Sequence, residues 1–280
     1  MQYDALLKDL FFPELIPPLF KTSKTYDLAM IGAEAARLVY VRFEESDENK
    51  RTIESALSVV GFEHVEYFAG EAEGGHALAA LQRDGDAALL VFRGTRPTNL
   101  KDVEIDLELL PEPWPEGGRV HTGFAKQFQE LRQGLREWHE HTGGRRLLLS
   151  GHSLGAGLAT LCATVLKPNT LVTLGSSRVG DAEFVSLLAD TDVHRFVNCC
   201  DVITRLPKML GYVHVGEPRY IDRNGVLLDD PTDEDIARDQ SAARSDYLLH
   251  QALGVGNVPV RDGADHAPIN YVSAILGERD

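Results

Sequence analysis

Cysteine, basic clusters and long apolar runs are all scarce in this chain. Its 280 residues include only three cysteines. Cys199 and Cys200 are adjacent in an apolar stretch read as a strand and Cys162 lies apart, so they offer no disulfide framework and suit a reducing compartment. A cytoplasmic location is therefore expected. Lys and Arg number 28 against 43 Asp and Glu, a formal net charge of −15. Nucleic acid is excluded as a partner, because phosphate binding needs clustered cations. No apolar run is long enough to span a bilayer, and Met1 to Phe20 lacks the basic start, apolar core and cleavage site of a signal peptide. Internal repeats and low-complexity tracts are also missing. What remains is an ordinary globular composition, 43% hydrophobic and 25% charged. One domain over residues 1–280 is expected at this length.

The first segment is greasy, with Leu6, Leu7, Leu10, Phe11, Phe12, Leu15 and Ile16, but Pro13, Pro17 and Pro18 prevent a single helix. It reads as a strap over the core, or as an anchor making transient contact with a lipid surface, although the polar face lacks the usual Lys and Arg. Helical spacing follows over Tyr26 to Val39 and Asn49 to Val60. The segments FEHVEYF, HALAALQ and AALLVFRG then read as three strands before Thr95. Beyond them an amphipathic helix spans Phe124 to His141, strands occupy Thr170 to Gly175 and His194 to Cys199, and a helix lies between at Asp181 to Ala189. Strands alternating with helices predict an α/β fold with a mostly parallel central sheet and helices on both faces. Tyr212 to Val215, Arg219 to Asp222 and Val226 to Leu228 read as short antiparallel strands with a turn at Arg223-Asn224-Gly225.

The stretch Arg145 to Thr164, RRLLLSGHSLGAGLATLCAT, carries the strongest chemical signal. An apolar run fit for a strand buried on both faces meets G-x-S-x-G and then a small-residue helix. That context is what a nucleophile elbow requires, with Ser153 held on a sharp turn and Gly151 and Gly155 allowing strand and helix to close on it. A serine hydroxyl is a poor nucleophile at neutral pH, so a base and an orienting carboxylate must follow it in the order Asp or Glu, then His. Asp201 stands at the carboxyl end of a strand, where open α/β sheets place their sites. Asp181, Asp190 and Asp192 are rivals that flank a surface helix. Among the later histidines, His214 reads as a packed strand residue, His250 lies in a helical pattern, and His266 occupies a turn-rich loop, DGADHAP, before the helix Ile269 to Leu276.

The segments VFRGT, HTGF, LLLSGHSLGAGLA, TLGSSRVGD, VNCCDVITRLP, YVHVG and DHAPINY occur in the order and spacing of the class 3 lipase family. From roughly Thr25 to Leu276 the chain resembles these fungal triacylglycerol lipase-like members of the α/β-hydrolase superfamily. The resemblance implies an α/β-hydrolase fold and esterolytic chemistry, with Ser153 as nucleophile, Asp201 as orienting acid and His266 as base. It further implies an oxyanion hole from Thr95 and Leu154, whose backbone amides would offset the negative charge that builds on an ester carbonyl oxygen.

It also places a lid at about residues 96–110. Leu100, Val103 and Ile105 are the apolar residues of the segment Asn99 to Asp106 and stand among charges, so modest interfacial activation is expected. Residues of about 229–262 read as an insertion that roofs the acyl pocket. Thr232 and Asp235 match a capping box, so its acidic run reads as a helix start, and the spacing does not follow an EF-hand calcium loop. No cofactor and no metal are called for. The chain reads as a carboxylic ester hydrolase acting on small-molecule ester or lipid substrates. The alternatives are acyl transfer by the same residues and a non-catalytic hydrolase-like binding module.

Overall fold

The apolar run Leu147–Leu149 lies at the centre of the structure, where its residues alternate between two separate cores: Leu148 faces one, Leu147 and Leu149 the other. The computed structural model describes residues 3–71, 75–94, 110–208 and 211–277. Its strands are β1 (Phe62–Ala69), β2 (His76–Gln82), β3 (Ala87–Phe92), β4 (Pro111–Pro113), β5 (Arg119–His121), β6 (Arg146–His152), β7 (Thr170–Leu174), β8 (Asp192–Asn198), β9 (Pro218–Ile221) and β10 (Leu227–Leu228). Eight of them form one sheet in the order β1-β2-β3-β6-β7-β8-β9-β10. Strands β3, β6, β7, β8 and β9 are mutually parallel, with antiparallel pairs at both edges. β4 and β5 make a separate two-stranded ribbon.

Alternation along the parallel strands explains why they read as continuous apolar runs: both faces are covered. On one face Leu89, Val91, Leu148 and Val172 meet the helices Leu28–Leu38, Asp47–Val59 and Pro268–Ile275. On the other, Leu90, Phe92, Leu149 and Leu171 meet Thr122–Glu140 and Leu154–Leu166.

The N-terminal strap is broken as its prolines require, into a helix Leu7–Phe11 and a 3-10 turn Pro13–Leu15. Leu10 is buried with Tyr247, Ala264, Ala267 and Ile269, so the strap packs onto the segment around His266. Its anchor is polar. Arg37, wholly buried, donates to the carbonyls of Pro13, Ile16 and Pro17 and to the buried carboxylate of Glu34, which also accepts from Leu19 N at 2.8 Å.

Three expectations change. Tyr212–Val215 is no strand; Val213 makes a single bridge to Gly180. β9 pairs parallel to β8 and extends the main sheet, leaving only β10 antiparallel to it. Cys199 and Cys200 lie not in the strand but in the turn after β8, with Cys199 at φ 28°. Among the described residues no helix is long and apolar enough to cross a membrane.

Candidate active site

Ser153 joins β6 to the helix Leu154–Leu166 with φ 57° and ψ −125°, a conformation that a non-glycine residue adopts only under constraint. The constraint is close backbone packing. A Cβ on Gly151 would stand 2.3 Å from Gly155 O, and one on Gly155 would stand 2.3 Å from Phe92 O. Glycine at both positions lets the elbow close against the end of β3. Ser153 N donates to Leu174 O at 3.0 Å, which fixes the turn on β7 as well.

The structure brings Ser153, Asp201 and His266 into one hydrogen-bonded line. Ser153 Oγ lies 2.9 Å from His266 Nε2, and His266 Nδ1 lies 3.0 Å and 3.1 Å from the two oxygens of Asp201. All three side chains are buried. The carboxylate requires the proton on Nδ1, which leaves Nε2 free to accept from the serine hydroxyl. Asp201 is itself held by Ile203 N–H at 2.9 Å and by the Tyr271 hydroxyl at 2.6 Å, and Tyr271 in turn accepts from Asn198 N at 3.0 Å. Burial, then the adjacent Asp201 charge, pushes the Tyr271 hydroxyl well above its ordinary pKa, so it stays a donor.

His266 does not sit in a loop. It ends a six-residue helix, Arg261–His266, and Ala267 turns extended at φ −64°, ψ 135° before Pro268 opens the next helix. The proline imposes that break, because the residue before it is pushed out of the helical region. Asp265 secures the helix end through Arg261 Nε at 3.0 Å, Cys200 N at 2.9 Å and the Tyr3 hydroxyl at 2.8 Å.

The rival residues have other duties. Asp181 caps a short helix by accepting from Phe184 N, Asp192 pairs with His194, and Asp190 is exposed. His250 lies exposed on the helix Asp233–His250 beside Asp246. His214 is packed near Arg195 and Arg178, and burial followed by those charges lowers its pKa to about 3. Leu154 begins the elbow helix, and its N–H is among the first-turn donors that a helix leaves without internal partners. Thr95 and the lid up to residue 109 lie outside the described residues; Leu110 is exposed.

The insertion packs against the turn that precedes Asp201. Its helix Asp233–His250 starts with the expected capping box and buries Gln240, Ala243 and Tyr247. Gln240 Nε2 donates to Cys199 O at 2.6 Å, and Ala243 packs on Cys199, Cys200 and Tyr220. The helix thus backs the turn that carries Asp201. Tyr247 of the same helix packs instead with Leu10 of the strap and with Ala264, Ala267 and Ile269, while Leu248 and Leu249 are exposed.

Two residues not singled out from the sequence, Tyr40 and His152, tie the elbow to the base. His152 Nε2 lies 2.6 Å from His266 O and its Nδ1 lies 2.8 Å from the Tyr40 hydroxyl. The carbonyl requires Nε2–H, so Nδ1 accepts from Tyr40. Burial, then the neighbouring His266, holds His152 well below its ordinary pKa and therefore neutral. The signal was present in G-H-S-L-G, where His152 fills the variable place. Tyr40, His152 and His266 also line a small crevice of about 10 Å³ closed by Leu10, Phe11 and Pro13 of the strap.

A family model described as lipase (class 3) matches residues 89–211, the stretch from β3 through Asp201. Over these residues the chain is similar to the class 3 lipase family. A lipase of Rhizomucor miehei is 30% identical over 153 residues, 48% of this chain and 42% of that protein. Phospholipase A(1) DAD1, chloroplastic, of Arabidopsis thaliana is 43% identical over 110 residues, 32% of this chain and 25% of that protein. The chain spans about half the length of the curated relatives it matches. Among solved structures, the native Rhizomucor miehei lipase propeptide complex aligns with a TM-score of 0.57 at 20% identity, covering 78% of this chain and 83% of that one. The matched segment thus sits within a fold shared with that lipase. His266 lies beyond the matched residues and reaches Ser153 from the far end of the chain.

Proposed function

We propose that the protein is a serine carboxylic ester hydrolase that cleaves acylglycerol or other fatty-acyl esters through an acyl-enzyme on Ser153. The observation that carries this reading is the unbroken line from Ser153 Oγ through His266 to Asp201 on a positive-φ elbow. In the first half-reaction Ser153 Oγ attacks the ester carbonyl carbon while His266 Nε2 takes the hydroxyl proton. The C–O bond to the alcohol then breaks as His266 returns the proton to the leaving oxygen. Water repeats the sequence and frees the carboxylic acid. The Asp201 carboxylate offsets the imidazolium formed at each step. The amides of Leu154 and Thr95 are the proposed donors to the carbonyl oxygen.

The names of the relatives, a lipase and a phospholipase A(1), support a lipid ester as substrate. The three free thiols support a reducing, cytoplasmic setting. Ser153→Ala tests the chemistry: turnover of p-nitrophenyl esters is expected to fall roughly 10⁵-fold or more, with loss of fluorophosphonate labelling. Substantial residual turnover in this variant rejects the assignment.

A further inference from the structure

The chain neighbours of the acid and the base form a second cluster that the proton relay does not use. Cys199 and Cys200 precede Asp201, and Asp265 precedes His266. The two sulfurs lie 3.7 Å apart. Both Sγ atoms and a carboxylate oxygen of Asp265 fall within 4.8 Å of one another, and all three residues are buried. Asp239 adds another carboxylate, with Oδ2 at 3.3 Å from Cys199 Sγ.

Donor chemistry and spacing narrow what this cluster can hold. Thiolate with carboxylate suits a borderline-soft divalent ion and disfavours magnesium or calcium. Two metal–sulfur bonds of about 2.3 Å at a tetrahedral angle put the sulfurs about 3.8 Å apart, close to the spacing observed. A disulfide fits poorly, because one peptide unit holds the two Cα atoms about 3.8 Å apart, inside the usual range of about 4.4–6.8 Å. The surroundings are those of an outer shell. Asp265 is oriented by Arg261, Tyr3 and the Cys200 amide, and Asp239 by the Tyr220 hydroxyl at 2.9 Å and Arg223 N at 3.0 Å.

We propose that Cys199, Cys200 and Asp265 bind one divalent cation of the zinc class, and that its binding slows the reaction at Ser153. Each bound ion replaces two S–H protons, which pass to solvent, and no oxidation state changes. Chelation draws together the turn before Asp201 and the helix end before His266. Those two segments set the His266–Asp201 contact, so a small shift there misaligns the base. The activity half of this proposal rests on the hydrolase reading; the binding half does not.

The test uses the full chain, reduced and stripped with a chelator, and Cd²⁺ as a spectroscopic probe. A thiolate-to-metal charge-transfer band should saturate at one ion per chain with the intensity of two thiolates. Zn²⁺ should compete it away. Saturation should lower p-nitrophenyl ester turnover about 10-fold or more, reversibly with chelator. Cys199→Ser and Cys200→Ser should each weaken the band, while Cys162→Ser keeps it, since Cys162 belongs to a different core. No band, a band with one thiolate's intensity, or a band retained in folded Cys199→Ser and Cys200→Ser overturns the site. The wild-type stoichiometry decides the matter even where a serine variant does not fold. Unchanged turnover at saturation overturns the coupling. A chain with no turnover before metal is added counts against the hydrolase reading alone, and the band still decides the site.

Discussion

The elbow and the acid–base side hold their residues by opposite means. Around Ser153 the forces are steric: Gly151, Gly155 and the end of β3 approach so closely that no side chain fits between them. Asp201 and His266 are 65 residues apart and are held by hydrogen bonds from Tyr271, Ile203 and, through Asp265, from Arg261, Cys200 and Tyr3. The nucleophile is thus fixed by backbone contact, the base by a buried polar network that runs to the N-terminal strap. Damage to the first should misplace one atom; damage to the second should loosen a whole side of the molecule.

The largest effect is expected at Arg37. Arg37→Ala leaves Glu34 buried and without its charge partner, and frees the carbonyls of Pro13, Ile16 and Pro17. Breaking a buried pair in this way costs about 3–5 kcal/mol, which urea denaturation followed by circular dichroism will read. Because the strap touches Asp265 through Tyr3, activity should disappear at a lower urea concentration than the sheet signal. Coincident loss of both would mean that the strap and the base side are not a separate unit.

Gly155→Ala strikes the other region. The added methyl meets Phe92 O at 2.3 Å, so the helix or β3 must move. A shift of about 1 Å at the nucleophile costs about 10²-fold in turnover, against about 1–3 kcal/mol of stability. Measured kcat and melting temperature on one preparation separate the two. A variant with normal kcat would show that the elbow has slack.

This division also explains what the sequence disclosed. The elbow was legible because strand period, glycines and helix are local, and the same holds for the capping box at Thr232. Asp201 and His266 stood out by chain order and by the family resemblance, but the sequence alone left His266 no better than open and put it in a loop where the structure has the end of a helix. Its burial depends on Leu10 and Tyr3, more than 250 residues away, and nothing in local pattern announces such a contact. Glu34 and Arg37 were hidden likewise, as two charged residues in a helix otherwise read for its apolar spacing. The apolar positions of the insertion likewise do not say which surface they meet: Ala243 packs on Cys199 and Cys200, Tyr247 on the strap.

A milder test of the polar network is Tyr271→Phe. The ring stays, Asp201 loses a donor at 2.6 Å, and Asn198 N–H loses its acceptor. A buried amide left unpaired costs about 1–3 kcal/mol, and a part of that at the base should lower kcat about tenfold with KM nearly unchanged. Labelling of Ser153 by a fluorophosphonate should slow in parallel. A rise in KM with kcat intact would assign Tyr271 to the substrate pocket instead.

The smallest effect probes the joint between the two regions. His152 is the side chain that belongs to the elbow by sequence and touches the base segment by hydrogen bond, and burial first, then His266, holds it neutral. An unfolded histidine titrates near about pH 6.5. Below that pH the unfolded chain takes up a proton that folded His152 refuses, so stability is lost as pH falls, by at most about 1.4 kcal/mol per pH unit. His214, with its pKa lowered to about 3 by burial and two arginines, adds a second contribution of the same sign. Urea midpoints taken from about pH 7 down to about pH 5.5 should therefore decline in the wild type. They should decline less steeply in His152→Gln, whose amide can still donate to His266 O, and less steeply in His214→Phe. An equal slope in His152→Gln would mean that the joint carries a proton in the folded state, and that the elbow and the base are coupled by charge rather than by a neutral hydrogen bond.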